Sequence, residues 1–283
     1  MKMRSFLAVP VLISAMLHGV AEEPPRLTLA REANWLIVRG AQIPGGEIRT
    51  NYLEAYCRAG STDADWGQHT VIPHRSEVVS AGEGKIMRLR DTLADGVIVE
   101  HTITAKSDAV EFELIARNPT DKASEAHWAQ PCVRLSAFTG FDEKSASNAT
   151  DYLPKCFIFL DGLLTRMPTR DWAAQARYTP GQVWCPRGVP RSDVNPRPLS
   201  PLVPSHGLVG CFSADGKMIY ASAWEPYQEL FQGVVRCLHS DFRIGGLAPA
   251  ETKKIRGKMY LVPADPDALL ARYAKDFPEH ALR

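Results

Sequence analysis

Ala109-Val-Glu-Phe-Glu-Leu-Ile-Ala-Arg-Asn118 alternates strictly between apolar and charged residues. Val110, Phe112, Leu114 and Ala116 point one way, and Glu111, Glu113 and Arg117 the other, as in a strand with one dry face and one wet face. The same period of two runs through Val97 to Thr104, Leu208 to Ser213, Met218 to Trp224, Val234 to His239 and Ile255 to Val262. Turn chemistry separates these runs at Ala94-Asp95-Gly96, Lys106-Ser107-Asp108 and Ala214-Asp215-Gly216, the last placed as a hairpin turn. Only the C-terminal region reads as a helix. Asp265-Pro266 caps and opens it, and Leu269, Leu270 and Tyr273 form its apolar stripe. Strands this numerous and evenly spaced exclude a Rossmann unit and predict an all-β sandwich.

The segment from about Phe141 to His206 breaks the pattern. It is rich in Pro, Arg and Asn, and Pro180 to Pro204 shows almost no periodicity. An irregular stretch of this length is expected to be an insertion folded over one mouth of the sandwich. The expected organisation is a signal peptide over 1–21 and a single sandwich domain over 22–283.

Composition limits the rest. The 283 residues carry 33 Lys+Arg against 32 Asp+Glu, and 45% are apolar. A balance this close to neutral gives no electrostatic footprint for nucleic acid, and a chain of this size buries roughly 75% of its extended surface. Lys2 and Arg4 precede an apolar run from Phe6 to Leu17, and Gly19-Val20-Ala21 supplies small residues for cleavage. That pattern predicts a signal peptide cut near Ala21, and hence a secreted or periplasmic protein. No later stretch reaches the roughly 18 apolar residues of a membrane span. Export would permit disulfides among Cys57, Cys132, Cys156, Cys185, Cys211 and Cys237, but spacing leaves their pairing open, and Cys132 and Cys237 lie within apolar strand patterns.

Several chemistries lack their motif. There is no Walker A sequence, no GxSxG elbow, no HExxH and no CxxC pair, and Gly82-Glu-Gly84 lacks the rest of a dinucleotide fingerprint. Asp63-Ala-Asp65-Trp-Gly67 starts like a calcium loop but has no bidentate glutamate downstream. Neither a cofactor nor a metal is expected.

Two segments carry a family resemblance. Asn118-Pro-Thr-Asp-Lys-Ala-Ser-Glu-Ala-His127-Trp-Ala-Gln-Pro-Cys resembles the passage of the galactose mutarotase (aldose epimerase) superfamily in which a strand and polar turn lead to a histidine. Gly246-Leu-Ala-Pro-Ala-Glu251, followed by Ile255 to Val262, resembles that superfamily's closing L-x-P-G-E turn and last strand, with Ala250 in place of the glycine. The resemblance spans nearly the whole mature chain. It implies an antiparallel β-supersandwich with a long irregular insertion and a short C-terminal helix, but the fold does not by itself name the reaction.

Carried over residue by residue, the resemblance makes His127 the catalytic acid. It puts His239 where the superfamily has its glutamate base; a histidine can serve there because its unperturbed pKa of about 6.5 lies near working pH. Glu47-Ile-Arg49 stands where a substrate-binding arginine is common. The strand parities add Gln130 and Trp128 beside His127, and His101 on an apolar face in phase with Val97, Val99 and Ile103. Trp224 and Glu225 end a strand with an indole and a carboxylate together, suited to a sugar's apolar and hydroxylated faces. Arg187, Arg191 and Arg197, with Trp172 and Trp184, would favour an anionic sugar. The expected function is therefore a secreted carbohydrate-active protein, epimerase-like through the pair His127 and His239. Two other outcomes remain open: a non-catalytic carbohydrate binder, or a lyase or hydrolase, for which Glu54 and Glu225 are the nominated carboxylates.

Overall fold

The structure is a computed structural model that describes residues 26–60, 62–141, 150–174, 181–233 and 235–282. The expected signal peptide therefore lies outside the described residues. Along the chain the first strands are β1 (Thr28–Glu32), β2 (Trp35–Arg39), β3 (Glu47–Cys57), β4 (Val71–Ile72), β5 (His74–Gly82), β6 (Ile86–Leu93), β7 (Ile98–Ala105) and β8 (Ala109–Arg117). Then come β9 (Trp128–Arg134), the one-turn helix α1 (Ser136–Thr139), β10 (Cys156–Leu160), β11 (Leu163–Arg166) and β12 (Val183–Trp184). The last elements are β13 (Leu208–Phe212), β14 (Met218–Glu225), β15 (Tyr227–Gln232), β16 (Cys237–Arg243), β17 (Thr252–Pro263) and the helix α2 (Pro266–Asp276).

These strands form two antiparallel sheets. One runs β1-β2-β3-β9-β16-β15-β12 with β4 added beside β3, and the other runs β11-β10-β13-β14-β17-β8-β7-β6-β5. Ala109 to Arg117, read from its alternation, lies deep within the second sheet, where Phe112 and Leu114 are buried. Its neighbours repeat the alternation, with every second residue of β6 and of β7 buried. The dry faces of both sheets meet in one core that includes Leu36, Tyr56, Val133 and Phe242 from the first sheet and Val99, Phe112, Trp224 and Met259 from the second. Burial on that scale, at about 25 cal/mol per Å² of apolar surface, supplies the main drive for closing the sandwich.

The helix forms where Asp265 and Pro266 place it. The Asp265 carboxylate accepts from the Ala268 amide at 3.0 Å, satisfying one of the orphan donors of the first turn. Leu269 and Tyr273 then pack with Phe157, Phe159, Ile219 and Tyr260 on the outer face of the second sheet. Gly257 lets β17 approach β14 closely, because a Cβ there would lie 2.3 Å from the Trp224 ring.

The segment 141–206 departs from the expectation of one irregular insertion. Residues 156–166 are a hairpin, β10 and β11, that extends the second sheet beside β13. Phe157 and Phe159 alternate with Ile158 across two buried faces, so the pattern is a continuous apolar run and shows no period of two. The stretch around 183–195 lies over the first sheet, whereas Ser205 and His206 return to β10 of the second. Val183 pairs with Phe231, and Val183, Cys185, Val189 and Val194 pack around Phe231.

Candidate functional site

Three central strands of the first sheet are buried on both faces: β9, β15 and β16 are covered along nearly their whole length. Val133, Leu238 and Phe242 on their inward side are apolar, and Ser240 is a polar exception there. Their outward residues are not. Trp128, Gln130, Cys132 and Arg134 stand out from β9, and Cys237, His239, Asp241 and Arg243 from β16. A strand with polar groups at every second position normally shows them to water, so covering them calls for partners or a ligand.

The outward residues floor a groove of about 390 Å³. It is lined by Glu54 from β3, Gln130, Cys132 and Arg134 from β9, Cys237 and His239 from β16, and Phe231 and Gly233 at and after the end of β15. Trp66 and Pro196 close its sides. Trp66 sits on a short turn, Trp66–Thr70, which Asp65 caps by accepting from the Gln68 amide; it leans on Trp128 with ring centroids 6.0 Å apart. Pro196 is positioned by the cover segment. Beside it, Asn195 donates to Thr70 Oγ1 at 2.9 Å, and Arg243 reaches Asp193 at 3.2 Å.

His239 is the centre of the floor. Its ring stacks on Phe231 with centroids 4.3 Å apart and planes 8° apart. Its Nδ1 lies 3.2 Å from the Gln130 amide nitrogen and 3.5 Å from Asp241 Oδ1, while its Nε2 lies 3.4 Å from Cys237 Sγ. Burial alone would lower the imidazole pKa, but the Cys237 sulfur and Asp241 hold it well above the usual range. The contact with Cys132, and then His239, pulls Cys237 well below the usual thiol value despite burial. Cys132 moves the other way, through Cys237 first and burial second. Behind His239, Glu229 stands opposite Asp241 across β15 and β16, both fully buried. Burial pushes Asp241 up to about 6 against the pull of His239, and burial with the neighbouring carboxylate pushes Glu229 well up. Two carboxylates so placed each disfavour ionisation of the other.

Of the residues expected from the sequence, the groove gathers Gln130 and His239. His127 does not line it: it precedes β9, its amide donates to Cys57 O, and its Nε2 faces Gly246. Burial, then Arg243, lowers its pKa. His101 lies between the sheets, with Tyr52 Oη at 2.9 Å from Nδ1 and Asp91 Oδ2 at 3.1 Å from Nε2. Trp224 is in the same core against Phe112 and Phe242. Glu225 accepts from His280 Nε2 at 2.6 Å and borders a different depression with Arg256 and Glu279. It therefore does not face Glu54, and the carboxylate pair nominated for a hydrolase is not assembled. Trp128 is buried under Trp66 with its indole N–H bonded to Arg58 O. Arg49 binds Glu32 and Glu47 at the surface.

The residues that sequence reasoning missed are Cys132, Arg134, Cys237, Asp241, Glu229, Phe231 and Trp66, and it placed Glu54 only as one of a pair. The signal was present in Cys237-Leu-His-Ser-Asp-Phe-Arg243, where Leu238 and Phe242 mark the inner face and the alternate positions are all polar or sulfur-bearing. All six cysteines are buried and free.

No protein-family profile matches the chain, and no curated protein does. Solved structures similar to it include a protein from Escherichia coli K12 assigned as an aldose 1-epimerase, at 11% identity and TM-score 0.43 over 83% of this chain and 98% of that one. Another is the galactose mutarotase related enzyme from Lactobacillus acidophilus, at 8% identity and TM-score 0.40 over 83% and 97%. A galactose mutarotase-like protein from Lactobacillus casei stands at 7% identity and TM-score 0.40 over 83% and 99%.

Proposed function

We propose that the chain is an exported carbohydrate-active protein that binds one sugar unit in the groove over β9 and β16. The observation that carries this reading is the lining itself. Glu54, Gln130, Arg134 and His239 offer hydrogen-bonding groups to hydroxyls, while Trp66 and Phe231 offer ring faces to apolar C–H surfaces. A volume of about 390 Å³ accommodates a monosaccharide rather than a long chain of sugars. Arg134 favours a substrate with a carboxylate, such as a uronate, since a guanidinium binds carboxylate in a bidentate fork.

The reaction this lining supports is exchange at the anomeric carbon. Glu54, exposed at the rim, takes the proton of the anomeric hydroxyl while His239, on the floor, gives one to the ring oxygen as the bond from that oxygen to the anomeric carbon breaks; reclosure on the other face returns both protons. The proposed chemistry centres on Glu54 and the His239 floor, and does not use His127. Freshly dissolved aldoses and uronates, followed by NMR with and without the purified protein, test this. Acceleration that Glu54→Gln removes is expected. Binding of the same sugars without acceleration would place the chain among non-catalytic binders, and absence of both binding and acceleration would end the reading. Sequencing the N-terminus of the protein recovered from the producing cell tests export.

A further inference from the structure

We propose that Cys132, Cys237 and His239 form a zinc-type metal site on the floor of the groove, with the fourth position open to whatever the groove holds. The three donor atoms lie within 4.8 Å of one another. They come together because His239 pairs directly with Cys132 across β9 and β16, and Cys237 is one repeat away on the same face. Zinc bound tetrahedrally, with Zn–S near 2.3 Å and Zn–N near 2.0 Å, needs donor separations of roughly 3.5–3.8 Å. Cys237 Sγ and His239 Nε2 are 3.4 Å apart already. The remaining separations are at most 4.8 Å, so rotamer adjustments of up to about 1 Å would meet the requirement, on two strands held from both sides.

The donor set narrows the ion. Two sulfurs and an imidazole suit zinc and other thiolate-loving metals, whereas calcium and magnesium take oxygen. Binding requires both thiols to give up their protons.

A second observation comes from the far side of the imidazole. Metal-bound histidines usually donate their other ring N–H to a carboxylate, which fixes the ring. Here Nε2 faces the sulfurs, and Nδ1 lies 3.5 Å from Asp241 Oδ1. Asp241 is fully buried, and neither of its oxygens has a hydrogen-bond partner among the described residues; its ionisable neighbours are His239 and, across the ladder, Glu229. Of these two neighbours only the imidazole can carry the charge opposite to a carboxylate's. Sequence spacing could not show this site, since its ligands sit on strands far apart in the chain and no two form a CxxC pair.

Three protein ligands beside a cavity is the arrangement of a catalytic metal, whose remaining position takes water or substrate. The metal reading stands on the three donors and Asp241, and does not depend on the groove holding a sugar. With the ion bound, His239 is a ligand and no longer supplies a proton; a water in the open fourth position would take over that role, and Glu54 remains the proton acceptor.

The test uses the full chain, reduced and stripped with a chelator, then titrated with Co²⁺ alone. One equivalent should produce thiolate-to-cobalt charge-transfer absorption, which Zn²⁺ abolishes by displacement. X-ray absorption of the zinc-loaded protein should show two sulfurs and one nitrogen in the first shell. Cys132→Ser or Cys237→Ser should remove the charge-transfer band, and Cys156→Ser, on the other sheet, should leave one equivalent bound. Asp241→Asn should weaken the metal by roughly 10- to 100-fold. Absence of stoichiometric uptake by the wild-type chain, or a first shell without sulfur, overturns the proposal. Neither readout requires a variant to fold, and neither involves sugar.

Discussion

Phe231 lies flat against His239, with ring planes 8° apart and centroids 4.3 Å apart. The contact holds the imidazole upright on the floor, so its two nitrogens address Cys237 on one side and Gln130 with Asp241 on the other. Phe231→Leu keeps an apolar group and removes the stack. An aromatic contact of this kind is worth about 1 kcal/mol, so a sugar bound in the groove should lose roughly five-fold in affinity, read by calorimetry. An unchanged Kd would show that the stack does not position the floor.

Gly233 gives the floor its room. A Cβ at this position would lie 2.2 Å from Cys237 Sγ and 3.1 Å from His239 Nε2. Gly233→Ala should therefore cost stability of about 1–3 kcal/mol by overpacking, measured by urea unfolding. It should also remove sugar-dependent activity or binding, because the displaced atoms are the floor itself. A stable variant with full groove function would argue against the packing described here.

Asp91 makes the sandwich acid-sensitive. Burial would raise its pKa, but His101, Ser76 and Tyr56 outweigh that cost and hold it at about 2, against 3.8 unperturbed. A carboxylate depressed in the folded state contributes stability above its unfolded pKa and loses it as pH falls through the folded value. The contribution is about 2 kcal/mol, present in full above pH ~4–5 and lost progressively toward pH 2. Chemical denaturation at a series of pH values should show this slope in the wild type and a shallower one in Asp91→Asn.

Ala250 occupies a left-handed backbone position at φ 60°, where the resembling superfamily turn has glycine. An L-residue with a Cβ costs roughly 1–2 kcal/mol there, while glycine carries a larger entropy loss of about 0.5–1 kcal/mol. Ala250→Gly should therefore be neutral to stabilising, by up to about 1.5 kcal/mol, with an unchanged denaturant slope. A clear loss of stability would mean the turn is supported by contacts of the methyl group.

Alternation in Ala109–Arg117 and its neighbours reported the strands of the sandwich, because a sheet with one wet face writes its geometry as a period of two. Asp265-Pro266 reported the helix for an equally local reason. The site was legible only in part. Parity told which residues of a strand share a face, but not whether that face meets the other sheet or the groove. His101 and Trp224 had the parity of apolar neighbours and lie in the inter-sheet core. His239 had the parity of Cys237 and lies on the groove side. The hairpin at 156–166 was hidden because both faces of its first strand, β10, are buried, leaving no alternation to read, and its second strand is only four residues long. Glu225 was misplaced by its partner: His280 is remote in sequence, and no local pattern announces their hydrogen bond.

The cover over the groove is attached differently from the floor. Interior ladder strands make the floor, where each side chain is fixed by two neighbours. The cover touches down through separate clasps: Val183 on Phe231, Asn195 on Thr70 and Asp193 on Arg243. Insertions or exchanges between those clasps would reshape the opening while leaving the strand register intact. Such a division lets the choice of guest be retuned independently of the machinery beneath it, and marks the cover residues other than Val183, Asp193 and Asn195 as the ones to randomise when a different specificity is wanted.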